Sequence, residues 1–112
     1  MAQAERTLVK SPPELWELVD DVELMRRWTT DLLGPPEPRI EVTRRTPGER
    51  LAWRPLGRAE EVEIELSLAE KGWGTNVVIE ARRGEGPEPG DDALEELLDE
   101  LSAPQRRPFT RA

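Results

Sequence analysis

The sequence predicts an α+β fold: one antiparallel sheet of about five strands, two short helices after the first strand, and a C-terminal helix packed on the sheet. Three observations predict it. Near the N-terminus, SPPELWELVDDVELMRRW carries two helix starts in close succession; the middle of the chain alternates apolar and polar residues with a period of two; and DDALEELLDELS repeats leucine at helical spacing. A sheet with one apolar face must cover that face with helices, and a curved sheet gripping the last helix does so.

Residues 5–10, ERTLVK, set Thr7, Leu8 and Val9 between charged residues and read as the first strand. Ser11 then offers a hydroxyl to an otherwise unpaired backbone N–H, Pro12 suits the first helical position, and Glu14 completes an S-x-x-E capping box. Leu15, Leu18, Val19 and Val22 follow at three- and four-residue steps, with Trp16 on their flank. Asp20 followed by Glu23 repeats the capping pattern. The first helix should therefore stop near Asp20, and a second should run from about Val22 to Leu33 with Leu24, Met25, Trp28 and Leu32 on its apolar side. Gly34-Pro35-Pro36 ends it.

Strand patterning follows. RIEVT places Ile40 and Val42 on one face, ERLAWRPL places Leu51 and Trp53 together, and EVEIELSLAE alternates Val62, Ile64, Leu66 and Leu68 against Glu61, Glu63, Glu65 and Ser67. TNVVIEAR puts Thr75, Val77, Ile79 and Ala81 inward. Thr46-Pro47-Gly48 and Lys71-Gly72-Trp73-Gly74 supply hairpin turns, and Gly57 marks a bend. Residues 84–90, GEGPEPG, read as a linker. In the final helix Asp91 or Asp92 should serve as the cap, and Leu94, Leu97, Leu98 and Leu101 form a stripe that must dock. Pro104 ends that helix.

A length of 112 residues fits one domain, taken here as 1–103, with the basic residues 104–112 expected to be a disordered tail. Apolar and charged residues each make up 36%, which suits a soluble domain with a modest core. No apolar run approaches the roughly 20 residues of a membrane helix, and the N-terminus lacks the basic-then-apolar order of a signal peptide, so the expected location is the cytoplasm, with no membrane partner. The absence of cysteine and histidine removes disulfides, thiolate chemistry and the commonest metal ligand. A net charge of −8 argues against nucleic acid as a partner.

The acidic runs Glu60, Glu61, Glu63, Glu65 and Asp91, Asp92, Glu95, Glu96, Asp99, Glu100 read as solvated faces, and no calcium-loop pattern accompanies them. No metal site and no cofactor are expected. Inward strand positions are nearly all apolar, Arg54 should face away from Trp53, and no catalytic residue can be named. Trp73, between two glycines at a hairpin tip, should be exposed.

TLVKSPPELWELVDDVELMRRW resembles the N-terminal signature of the START/birch-pollen-allergen (SRPBCC) superfamily, and PGERLAWRPLGRAEEVEIELSLAEKGWGTNVVIEA is similar to the strand pairs of its polyketide-cyclase-like and Hsp-ninety-ATPase-activator-like branches. The resemblance covers residues 5–83. It implies a helix-grip fold, shortened because only Gly34 to Gly48 stands where members usually fit a further strand pair. An edge left open by that loss would accommodate a second copy of the chain as a homodimer. The leading expectation is a non-enzymatic domain holding a small apolar or aromatic ligand between sheet and final helix, lined by Trp28, Trp53, Leu66, Leu94 and Leu98. The alternative is a protein-interaction or chaperone-activator-like module; a cyclase/dehydratase-like enzyme comes third.

Overall fold

A computed structural model of the chain describes residues 2–34, 37–57, 62–83 and 91–102, without the side chains of Arg83 and Asp91. The linker expected at 84–90, the tail at 104–112, Pro35, Pro36, Glu60 and Glu61 lie outside the described residues.

The elements run β1 (Ala2–Leu8), α1 (Pro12–Val19), α2 (Val22–Leu33), β2 (Ile40–Thr46), β3 (Arg50–Pro55), β4 (Val62–Lys71), β5 (Gly74–Arg83) and α3 (Asp91–Ser102). The strands form one five-stranded antiparallel sheet in the order β1-β5-β4-β3-β2. β1 and β2 are the two edges of the sheet and are joined through α1 and α2, which pack with α3 over its inner face.

Alternation does the sorting. Ile64, Leu66 and Leu68 of β4 stand opposite Ala81, Ile79 and Val77 of β5, Leu51 and Trp53 of β3 stand opposite Leu66 and Ile64, and all are buried on the inner face. Leu15 and Val19 of α1, Met25 and Trp28 of α2 and the α3 stripe Leu94, Leu97, Leu98 and Leu101 close over them in one cluster. At about 1.5–3 kcal/mol for burying each large aliphatic or aromatic side chain, this cluster is the main source of stability.

Three boundaries differ from the sequence expectation. The first strand begins at Ala2 and ends at Leu8, not at 5–10, and Val9 and Lys10 leave the sheet in a bend. Ala2 and Ala4 carry little strand propensity, but they pair with Ala81 and Ile79 where α3 packs against β1, and a small side chain suits that close approach. The second helix is capped by Asp21, whose carboxylate accepts from the Glu23 N–H at 2.9 Å, and not by Asp20. Asp20 instead ends α1, donating its N–H to the Trp16 carbonyl. Finally, Asp91 and Asp92 are the first two residues of α3 itself, so neither precedes it as a cap. The Ser11 cap is as expected: its Oγ accepts from the Glu14 N–H.

A β-bulge in β2 has a positional effect. Val42 faces Trp53 and Arg44 faces Ala52, so Thr43 is the extra residue. The insertion shifts the alternation by one, which turns Arg45 to the inner side opposite Leu51, and its guanidinium reaches Asp20 at 3.0 Å. The junction between α1 and α2 is thereby tied to an edge strand.

Candidate functional site

The five residues expected to line a ligand space between the sheet and α3 lie in the core that this helix closes. Trp28, Trp53, Leu66, Leu94 and Leu98 are 0 to 1% exposed and belong to one cluster. The two indoles lie 6.5 Å apart between centroids at 45°, a tilted aromatic pair.

Each indole N–H has a partner. Trp53 Nε1 donates to Thr29 Oγ1 at 2.9 Å, and Thr29 Oγ1 donates in turn to the Met25 carbonyl one turn back along α2, at 2.7 Å. Thr29 is fully buried, so this chain of two bonds spares the core an unsatisfied donor. Trp28 Nε1 donates to Glu100 Oε1 at 3.2 Å, and the other Glu100 oxygen takes Arg27. Glu100 therefore ties α3 to α2 from the rim of the core.

On its other flank α3 is held by Arg6. Arg6 shares the inner face of β1 with Ala2, Ala4 and Leu8, and its guanidinium pairs with both Glu95 and Asp99, one helical turn apart. These carboxylates, Asp99 first and then Glu95, hold Arg6 charged more firmly than an ordinary arginine. Lys10 Nζ adds a bond to the Leu101 carbonyl at 2.8 Å, near the helix C-terminus where a cation is favourable. The acidic side of α3, expected to be a solvated face, is thus in part a docking surface: Glu95, Asp99 and Glu100 each hold a named group. Arg6 has even spacing from Leu8 within the strand, but nothing local in the sequence names its partners on α3.

The outer face of the sheet carries a second correction. Glu63 and Glu65 were expected to be solvated, yet Arg82 lies between them at 3.0 Å to each and also approaches Glu80. The Glu63 carboxyl is held below the ordinary value, first by the Thr43 hydroxyl and then by Arg82, against an opposing effect of partial burial. Arg54 points outward to Glu41, as its parity with Trp53 predicts, and Arg44 is exposed on the outer side. No group of three or more acidic, histidine or cysteine residues placed to hold a metal ion occurs among the described residues. Among the same residues no helix is long and apolar enough to cross a membrane.

Opposite in character is the β4–β5 hairpin tip, where Trp73 is 98% exposed. Gly72 with φ +58° begins the turn, as a two-residue hairpin of this hand requires.

A five-stranded antiparallel sheet closed by a C-terminal helix, with two helices between its first two strands, defines a small helix-grip domain of the START-like class. Solved structures bear this out. A Deinococcus radiodurans protein, DR_A0006, superposes with a TM-score of 0.71 at 22% identity, covering 90% of this chain and 92% of its own. The Aha1 dimer from Colwellia psychrerythraea gives 0.69 at 14% identity over 90% of this chain and 92% of that one. CalU16 from Micromonospora echinospora gives 0.55 at 19% identity, covering 89% and 74%. At these identities the likeness is one of fold. No family model and no curated protein sequence matches the chain.

Proposed function

We propose that this protein is a non-enzymatic helix-grip domain that works through its surface, as a protein-interaction module of the chaperone-activator kind. The observation that supports this most is a contrast in exposure. The tryptophans under α3 are packed to 0 and 1% exposure, whereas Trp73, on a projecting hairpin, is 98% exposed. Exposed aromatic side chains on rigid elements are the residues that dominate protein interfaces. An Aha1 protein of the same fold solved as a dimer lends support to a second copy as one form of partner.

A second reading is favoured by the Trp28–Trp53 pair: an apolar or aromatic ligand held between sheet and α3, with Trp28, Trp53, Leu66, Leu94 and Leu98 around it. It requires α3 to part from α2, where Glu100 is the polar tie. A cyclase-like enzyme finds less support, because the polar groups pointing over the core, Arg6, Thr29, Arg45 and Thr75, each have partners within the fold.

One titration separates the first two readings. Tryptophan emission is followed while a panel of small apolar and aromatic compounds is added to the wild type and to Trp53→Phe. The interaction reading expects no saturable change in either protein. A saturable change in the wild type that Trp53→Phe abolishes overturns it in favour of the ligand reading.

A further inference from the structure

We infer that the β4–β5 hairpin tip, together with the end of β1, is a docking site for an acidic protein segment carrying an apolar anchor residue. The inference rests on the interaction reading above and names the partner's chemistry. Its first ground is geometry. β3 leaves the side of β4 at Ser67 and Leu68, where Arg50 pairs with Ser67 and Leu68 N–H donates to the Glu49 carbonyl, yet β4 and β5 continue pairing to Lys71 and Gly74. About three residue pairs therefore project beyond β3, roughly 10 Å at the usual rise per strand residue.

The second ground is what the projection carries. Trp73 is 98% exposed and Val9 91% exposed, and they are the two most exposed large hydrophobic residues described. They are brought to one place by the register. Leu8 pairs with Thr75, Thr75 Oγ1 donates to the Lys10 carbonyl at 2.7 Å, and β1 passes so close to Gly74 that a Cβ there would lie 1.9 Å from the Leu8 carbonyl oxygen and 3.2 Å from the Val9 Cα. Gly74 is thus the residue that lets Val9 and Trp73 share a surface.

Charge names the occupant. The chain carries −8 and only two lysines: Lys71 precedes the turn, and Lys10 follows Val9 with its Nζ on the Leu101 carbonyl. Lys71 makes no ion pair among the described residues, unlike the arginines of the outer sheet face, and Lys10 brings its charge beside the end of α3. Glu70 is the acidic neighbour in the hairpin, on the face opposite Lys71. An apolar pair beside the exposed Lys71, on an otherwise acidic body, complements an apolar side chain among carboxylates. An anionic lipid surface fits less well, since two apolar side chains give little insertion against a net charge of −8.

The test uses a synthetic peptide with one leucine among glutamates, a control with lysines in place of the glutamates, phosphatidylserine vesicles, and the full-length chain as wild type, Trp73→Ser, Val9→Ser and Lys71→Glu. None of these changes touches Gly72 or Gly74, and near-ultraviolet dichroism of the buried tryptophans reports that each variant is folded. The expected result is a saturable blue shift of Trp73 emission with the acidic peptide alone, weakened by salt, at least tenfold weaker affinity for Val9→Ser and Lys71→Glu, and loss of peptide binding by calorimetry for Trp73→Ser. No saturable response to the acidic peptide, an equal response to the basic control, or undiminished binding by Trp73→Ser overturns the inference. Binding to vesicles alone, or self-association by light scattering with no peptide response, also overturns it, in favour of a lipid surface or a second copy. A saturable response of the Trp53-dependent kind to small ligands overturns the interaction reading instead, so the two failures are distinct.

Discussion

Arg6 of β1 stands between Glu95 and Asp99 of α3, so that the helix closing the core is clasped to an edge strand by a residue pointing into the fold. Charge-assisted bonds of this kind are stronger than neutral ones, but all three side chains are partly exposed, which confines the gain to about 1 kcal/mol. Arg6→Ala is expected to lose about that much stability, seen as a lower urea midpoint, and Arg6→Met, which keeps an apolar stem against α3, less. An unchanged midpoint in Arg6→Ala would show that the leucine stripe alone docks the helix.

The clasp also shows where the sequence could be read and where it could not. Helix α1 and the strands β3, β4 and β5 announce themselves, because capping residues and alternation are local signals: Ser11, Glu14, and the run from Val62 to Leu68 each need only their neighbours to be interpreted. Arg6 and Glu95 are separated by 89 positions, and Arg45 turns inward only because Thr43 adds a residue to β2. Polar partners across such distances have no periodicity. The same holds for Thr29, whose place under Trp53 follows from how α2 crosses β3. The apolar site residues were legible as a face; the groups that tie α3 across that face were not.

Thr29 makes the second case. Its hydroxyl accepts the bond that the Trp53 indole N–H donates, in a fully buried position. Thr29→Val preserves shape and removes the acceptor, leaving a buried N–H unpaired at a cost of about 1–3 kcal/mol. Trp53→Phe removes the donor but opens space. The double variant is expected to be less destabilised than the sum of the two, and chemical denaturation of all four proteins measures the coupling. Strict additivity would mean that the bond contributes nothing.

Glu63 gives a pH dependence with a defined sign. Its carboxyl is held below the ordinary value of 4.5, chiefly by the Thr43 hydroxyl and then by Arg82. A lowered folded-state value means that the ionised form is stabilised by folding, so the contribution is complete above about pH 4.5 and is lost as pH falls through the folded value. Glu63→Gln should therefore be less stable than the wild type at neutral pH, with the difference shrinking in acid. Thr43→Val should show a smaller form of the same trend. Urea midpoints taken from pH 7 downward test both, and a difference that is constant with pH refutes the assignment.

Two glycines of one turn separate backbone freedom from close approach. Gly72 has φ +58° and open space where a side chain would go, so the cost of substitution there is conformational alone. Asn tolerates that region, and Gly72→Asn should be nearly neutral, whereas Gly72→Val should cost about 1–2 kcal/mol. Gly74 has an ordinary φ, but a Cβ would lie 1.9 Å from the Leu8 carbonyl oxygen, an atom of the backbone that no rotamer change can move. Gly74→Ala must therefore spread β1 from β5 at Leu8 and Thr75, and a loss above about 2 kcal/mol is expected. Amide exchange should localise the damage: faster exchange along the β1–β5 pairing in Gly74→Ala, with the β3–β4 pairing unaffected. If Gly74→Ala matches Gly72→Asn in stability, β1 does not pass the hairpin as closely as described, and the juxtaposition of Val9 with Trp73 loses its structural basis.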